Sequence, residues 1–352
     1  MMDVLAPPRT SFARPPELSA TEPPEERGLG RDGVRLLVAQ ASGFQHAHFR
    51  DLGRFLRPGD LIVVNTSATL AAAVEGIRRR DSAVIVHFST PSDDGTWVVE
   101  LRRSDGAGPV LDGHAGESIE LPGRVSLTLL SPRSDPGMPV GARLWRARIL
   151  GAGLVEDYLA HHGRPITYGY LRGRWDLGAY QTIFGITPGS AEMPGAGRPF
   201  TDALVTELIA GGVVFAPVLL HAGVSSLEAK ELPSAERFRV PDQTAGLINH
   251  TRRTGGRVIA VGTTVTRALE TVARSDGSVI GGEGWTELVL GPTRPARVVD
   301  GLITGWHPPG ASHLLLLEAV AGPRLVEQAY KSARAAGYLW HEFGDSCLLL
   351  PH

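Results

Sequence analysis

Apolar and polar residues alternate along this chain in three successive patterns. In the first, Arg35-Leu36-Leu37-Val38 reads as a strand, Phe49 to Leu56 as a short helix, and Leu61-Ile62-Val63-Val64 as a strand buried on both faces, bracketed by Asp60 and Asn65. Between about Ala71 and Leu150 the period shortens. Ala83 to Phe88, Trp97 to Leu101, Val125 to Leu129 and Leu144 to Ile149 are short alternating segments. Turn clusters such as Asp93-Asp94-Gly95 and Ser104-Asp105-Gly106 separate them, as in antiparallel hairpins of a small sandwich or barrel. An inserted all-β domain is therefore expected. From Gly151 onward strands and helices alternate again: Val213 to Leu220 is a buried strand, and Arg257 to Val261 is another. The second of these runs straight into Gly262-Thr263-Thr264 and a helical pattern through Val265, Leu269 and Val272. Ser312 to Ala321 and Pro323 to Ala336 read as helices, with Gly322 and Gly337 placed to end them.

Composition narrows the class. At ~150 residues per domain, 352 residues suffice for about two compact domains. Glycine (43) and proline (26) form about a fifth of the chain against an ordinary ~12%, yet 42% is hydrophobic, which describes a turn-rich globular protein. A single cysteine, Cys347, excludes an internal disulfide and a cysteine-cluster zinc site. The opening residues lack the pattern of a signal peptide, and no apolar run is long enough to span a membrane, so the expectation is cytoplasmic, with no membrane partner. A net charge of −2 leaves no broad basic field, so any nucleic-acid contact must rest on a local patch. Positive charge is almost entirely arginine, lysine occurring only at Lys230 and Lys331. Residues 1–30 carry three Pro-Pro pairs and read as an extended arm laid along the body.

The sharpest local feature is the strand, Gly262, Thr263-Thr264, helix succession. Glycine lets backbone approach a ligand, a threonine can cap the helix, and the free N–H groups of its first turn favour an anion. Arg267 and Glu270 lie three apart on one helix face, which also suits an ordinary surface ion pair. Gly151-Ala152-Gly153 has only half of a dinucleotide fingerprint, with Glu156 in place of the third glycine. His46 and His48 share a strand face with no converging third ligand, and His161-His162 suit a helix end. His221 ends a buried strand, and His307 sits in the rigid loop Thr304-Gly305-Trp306-His307-Pro308-Pro309-Gly310; both are places where chemistry is commonly carried. Gly344-Asp345 has the form of a tight turn.

Taken in order, these segments resemble the S-adenosylmethionine:tRNA ribosyltransferase-isomerase family of queuosine biosynthesis, over almost the entire chain. The resemblance rests on Arg35-Leu36-Leu37-Val38, His46, Phe49, Asp51-Leu52, Arg57-Pro58-Gly59-Asp60, Asn65 and Tyr180-Gln181-Thr182. It continues through Phe200-Thr201, Leu220-His221, Gly223, Glu236, Ala260-Val261-Gly262-Thr263-Thr264, Arg267 and Glu270. Asp300, Leu302-Ile303-Thr304, His307, Pro309, Ser312, Ala329-Tyr330, Tyr338 and Gly344-Asp345 complete it. It implies an α/β fold: a larger mixed α/β, barrel-like body from residues 1–70 and 151–352, and an inserted antiparallel β-barrel domain at 71–150. It also implies S-adenosylmethionine as ribosyl donor, with no metal or redox cofactor. The resemblance further implies that the sulfonium acidifies the ribose 5′ carbon, a base removes a proton there, adenine is expelled, and an amine attacks as methionine leaves. In the family that amine belongs to 7-aminomethyl-7-deazaguanine in tRNA and the product is epoxyqueuosine. On this resemblance His221 and His307 are the candidate bases. Asn65, Tyr180, Gln181, Thr182, Gly223, Glu236, Gly262, Thr263, Thr264, Arg267, Glu270, Thr304, Ser312 and Asp345 are candidate substrate-binding residues. Thr263-Thr264 with Arg267 suit the methionine carboxylate or the opened ribose, and Glu236, Glu270 or Asp345 the donor's cationic groups. A monomer is expected.

Departures from the family pattern concentrate on the acceptor side. Ala68 and Ala73 stand where arginines are usual, Ile166-Thr167-Tyr168-Gly169 precedes Tyr170 in place of Pro-Leu-Pro-Pro, and Gly197-Arg198-Pro199-Phe200 lacks the family histidine. Gly223-Val224-Ser225-Ser226-Leu227, Leu232-Pro233-Ser234-Ala235 and Gly305-Trp306 differ as well. Alongside a tRNA acceptor, a small-molecule amine acceptor and a non-catalytic binder of S-adenosylmethionine or RNA are the alternatives.

Overall fold

In a computed structural model, residues 7–13, 16–78, 82–105, 108–133, 143–224 and 234–351 are described. Ser225-Ser226-Leu227, Leu232-Pro233, Gly106 and parts of the proline-rich arm lie outside them. The chain opens with β1 (Arg35–Gln40), β2 (Gly43–His48), β3 (Leu61–Asn65) and β4 (Ser67–Thr69). Six strands follow: β5 (Ala73–Arg78), β6 (Ser82–Pro91), β7 (Trp97–Arg103), β8 (Ser118–Leu121), β9 (Val125–Pro132) and β10 (Leu144–Leu150). Then come α1 (Val155–His162), β11 (Thr187–Ser190), α2 (Asp202–Ala210), β12 (Val214–Leu220), β13 (Glu236–Val240) and α3 (Asp242–Arg253). The remainder is β14 (Val258–Val261), α4 (Thr263–Thr271), β15 (Gly282–Thr286), β16 (Gly301–Thr304), α5 (Ser312–Ala321), α6 (Pro323–Ala335) and β17 (Ser346–Leu350). The helix expected at Phe49 to Leu56 is a 3₁₀ helix, Phe49–Phe55.

The architecture is mixed α/β with an antiparallel barrel. Strands β5 to β10 close in the order β10-β7-β6-β5-β8-β9, every pair antiparallel. Alternation makes this possible: in β9, Val125, Leu127 and Leu129 are buried while their neighbours are not, so one face of the sheet fills the interior. The body carries a nine-stranded sheet ordered β15-β13-β12-β3-β14-β16-β17-β1-β2. This order has two ends, at β15 and β2, so ring closure is found in the insert while the larger sheet stays open. Both faces of its centre are covered. Leu61 and Val63 pack with α3, α4, α5 and α6 residues, whereas Ile62 and Val64 pack with Leu204 and Leu208 of α2. A strand buried on both sides has no polar face, hence the continuous apolar run.

Strands β12, β3, β14 and β16 run parallel to one another in register, so their C-terminal ends lie along one sheet edge. Asn65, Leu220, Val261 and Thr304 end these strands, which brings four separated sequence segments together. Gly322 (φ 78°) links α5 to α6 in a left-handed conformation that suits glycine. The described part of the N-terminal arm is tied to the body: the Thr10 amide and hydroxyl both donate to Glu318, each at 2.7 Å, and the Ala20 amide donates to the Trp340 carbonyl while the Trp340 amide donates to that of Leu18.

Candidate active site

At the edge where the parallel strands end, a cavity of about 300 Å³ opens between the sheet, the loop after β16 and the side of the barrel. Its wall includes two helix starts. The first is α4, whose N-cap is Gly262 at φ 93°, ψ 161°; no side chain caps it. The expected threonine cap is not made. Instead the Thr264 hydroxyl receives Asn65 Nδ2 at 3.4 Å, leaving the first-turn amides toward the cavity. The second start is α5, capped by no side chain at Ala311, with Ser312 and His313 on the wall. Two helix N-termini facing one cavity create a place for a negatively charged group.

The same cavity holds carboxylates. Glu236 accepts the Gly223 amide at 3.2 Å on Oε1 and is bonded by Arg267 on Oε2; burial pushes its carboxyl up despite that arginine. Glu192 is hydrogen-bonded by the Tyr168 hydroxyl, and Glu342 by that of Tyr170. Burial, with the charge of Glu192 adding to it, raises Glu342 to about 7 against the opposing hydrogen bond from Tyr170. Tyr170 stacks on His341, ring centroids 4.0 Å apart, and His341 sits at φ 73°, a left-handed conformation uncommon outside glycine and stored at a cost of about 1–3 kcal/mol.

His307 is packed flat against His313, centroids 4.5 Å apart and planes 5° from parallel. Burial, reinforced by His313 and His341, holds its pKa well below the ordinary histidine range, and burial places His313 at about 4. The Thr304 hydroxyl donates to the Gly305 carbonyl at 3.1 Å and meets His307 Nε2 at 3.0 Å. A hydroxyl has one proton, so with that proton on the Gly305 carbonyl, Nε2 carries hydrogen and Nδ1 carries the lone pair. Tyr330 Oη fixes the loop by accepting the His307 amide at 3.1 Å.

Of the residues proposed from sequence, Tyr180, Gly223, Glu236, Gly262, Thr263, Thr264, Arg267, Thr304, His307, Ser312 and Asp345 line this cavity. Others are turned elsewhere. The His221 ring bonds Ser67 Oγ through Nδ1 at 2.7 Å and packs where a Cβ on Gly189 would come within 2.4 Å of it. Burial, then Arg237, lowers it to about 4. Asn65 clamps β12 to β3: its side chain donates to the Leu220 carbonyl at 2.8 Å and accepts the Leu220 amide at 3.0 Å. Gln181 mimics a strand partner by bonding the Thr69 amide and carbonyl at 3.0 and 2.8 Å, and Thr182 is buried behind the wall. Glu270 and Arg267 are both buried and do not pair with each other. Glu270 accepts the amides of Arg297, Val298 and Val299, while Arg267 also donates to the Leu288, Ser234 and Thr286 carbonyls. Asp345 reaches the wall, but its two oxygens accept the Arg35 and Leu339 amides, each at 2.8 Å.

Sequence reasoning passed over Glu192, His313, His341 and Glu342 as site residues, and treated Tyr168 only as part of a departure and Tyr170 only as the tyrosine that follows it. The available signal was the polar pair His341-Glu342 inside the aromatic segment from Tyr338 to Phe343. Among the described residues no group of three or more histidine, cysteine, aspartate or glutamate side chains is placed to hold a metal ion, and no helix is long and apolar enough to cross a membrane.

The chain is similar to known proteins over nearly its full length. A family profile described as queuosine biosynthesis protein matches residues 9–349. An S-adenosylmethionine:tRNA ribosyltransferase-isomerase from Acidiphilium cryptum is 36% identical over 348 residues, covering 95% of this chain and 96% of its own. One of the same name from Moorella thermoacetica is 33% identical over 370 residues, covering 96% and 98%. The crystal structure of S-adenosylmethionine tRNA ribosyltransferase from Thermotoga maritima aligns over 97% of this chain and 99% of its own, with 28% identity and a TM-score of 0.53. With its sequence matched from end to end and its barrel-bearing α/β fold shared, the chain belongs to the queuosine biosynthesis protein family.

Proposed function

We infer that this chain transfers and isomerises the ribosyl part of S-adenosylmethionine onto the 7-aminomethyl-7-deazaguanine amine of tRNA, giving epoxyqueuosine and releasing adenine and methionine. It works in the cytoplasm, where tRNA is found, and without a metal. The observation that carries the reading is the full-length match to relatives bearing this activity's name, at 30–36% identity. The cavity supports it by offering complementary charge to a zwitterionic sulfonium ligand: helix starts for a carboxylate, acidic side chains for cations.

The sulfonium supplies the acidity of the neighbouring ribose carbon. His307 takes the proton there through Nδ1, its lowered pKa keeping the imidazole neutral at ordinary pH. Thr304 holds the tautomer and His313 holds the ring plane. The amides of Thr263 and Thr264, with Ser312 at the start of α5, hold the donor carboxylate. Arg267 acts through Glu236, keeping that carboxylate aimed at the substrate beside the Gly223 amide. His221, Asn65, Gln181, Thr182, Glu270 and Asp345 brace the strand ends that carry these groups.

His307→Ala tests the assignment. Adenine release from S-adenosylmethionine, followed chromatographically with precursor tRNA present, should fall by about 10²–10⁴, while donor affinity stays within about threefold. A variant that releases adenine at the wild-type rate removes His307 as the base. A wild-type protein that forms no adenine with the donor and precursor tRNA overturns the reading itself.

A further inference from the structure

One end of the cavity carries two carboxylates, Glu192 and Glu342, to which the donor-binding roles above give no part. Glu342 lies on the wall with its carboxylate bonded by the Tyr170 hydroxyl, and Glu192 lies close enough for its charge to act on it. Among the described residues no arginine, lysine or histidine forms an ion pair with Glu342. Two cations on the wall have other commitments. Arg198 gives its guanidinium to both oxygens of Glu25 and to the Ala179 carbonyl, and Arg267 is engaged with Glu236.

A second, independent feature points into the same place. Tyr180 is 3% exposed and lines the cavity, yet its hydroxyl has no hydrogen-bond partner, and it lies near enough to Glu342 to be affected by its charge. A buried hydroxyl is costly to leave without a partner, and a half-buried carboxylate on a cavity wall favours a cation. One group satisfies both: a protonated primary amine carries several N–H donors, one for the carboxylate and one for a lone pair of the tyrosine oxygen. The stacked Tyr170 and His341 rings beneath add aromatic faces that favour a cation.

We propose that Glu342, together with Glu192 and Tyr180, forms a subsite that takes a primary ammonium group of a substrate. The proposal rests on the ribosyl-transfer reading for its substrates, which offer two such groups: the α-ammonium of S-adenosylmethionine and the aminomethyl group of the acceptor. Glu342 holds the charge directly, Tyr180 accepts one N–H, Tyr170 fixes the carboxylate, and Glu192 deepens the negative potential.

Calorimetric titration of the full chain, slightly above neutral pH, separates the possibilities. The probes are S-adenosylmethionine, free 7-aminomethyl-7-deazaguanine and its uncharged N-acetylated form, and benzylamine as a plain ammonium unrelated to the family reaction. In Glu342→Gln and Glu192→Gln, benzylamine should bind at least tenfold more weakly than to wild type, and Tyr180→Phe should lose about threefold. Whichever of the two substrates weakens in parallel supplies the ammonium; the N-acetylated base should already bind poorly to wild type if it is the acceptor. Benzylamine binding within twofold of wild type in both glutamine variants overturns the proposal. Wild type that binds benzylamine in this carboxylate-dependent way but neither substrate sustains the subsite and overturns the family reading.

Discussion

Replacing Glu270 by alanine distinguishes a structural carboxylate from a ligand-binding one. Its side chain is 1% exposed, and its oxygens accept the amides of Arg297 at 2.9 Å, Val298 at 2.8 Å and Val299 at 3.2 Å. Arg297 is exposed, so water can replace the carboxylate there; Val298 and Val299 are buried, so in the variant two amides lose their acceptor. At about 1–3 kcal/mol for each stranded donor, the loss is about 4 kcal/mol. Arg294, 3.5 Å away and 23% exposed, adds less than about 1 kcal/mol. Against a usual folding stability of about 5–15 kcal/mol, this is a large fraction. Guanidinium unfolding followed by tryptophan fluorescence and circular dichroism should show a clearly lower midpoint for Glu270→Ala. Glu270→Gln, which retains a carbonyl acceptor, should lose roughly half as much. At a temperature where the variant is folded, its affinity for S-adenosylmethionine should stay within about threefold. A midpoint equal to wild type combined with a tenfold loss of donor affinity would refute the reasoning and return Glu270 to the ligand.

Two further outcomes follow from groups at the sheet edge. His221 and His313 keep pKa values of about 4 in the fold, against about 6.5 for an unfolded imidazole, and His307 is lowered too. Between pH 6.5 and 4 the unfolded chain therefore binds protons that the folded one refuses, so stability falls as pH falls through that window. Thermal midpoints should drop across it, with a shallower slope for His313→Asn; equal slopes would show that burial of this ring does not govern acid sensitivity. Gly262→Ala meets no wall, its Cβ lying 3.4 Å from that of Ala196, but φ 93° disfavours any side chain and costs about 1–3 kcal/mol. Because the same residue starts α4, donor affinity should weaken together with stability, and a variant unchanged in both would mean this helix start holds no ligand.

What could be read from sequence here is what neighbouring residues decide. Leu61 and Val63 face one helical layer and Ile62 and Val64 the other, so an unbroken apolar run announces a strand buried on both sides. The change to strict alternation after Ala71 announces a sheet with one filled face, and the glycine after Val261 announces a helix start, which here opens on the cavity. Each of these depends on contacts a few residues apart. The roles of charged side chains do not. The three-residue spacing of Arg267 and Glu270 says that they share a helix face, but their partners lie 31 residues earlier at Glu236 and 27 residues later at Arg297. His221 follows the end of β12, as its place after an apolar run predicts, yet the direction of its ring is set by Ser67, 154 residues away. Tyr170 and Glu342 are separated by 172 residues and meet because the segment before the last strand folds back over the cavity. A carboxylate becomes a brace or a ligand group according to whether backbone amides or open space face its lone pairs. Spacing along the chain carries no trace of that distinction, so the acidic end of this cavity became visible only once the strands were in register.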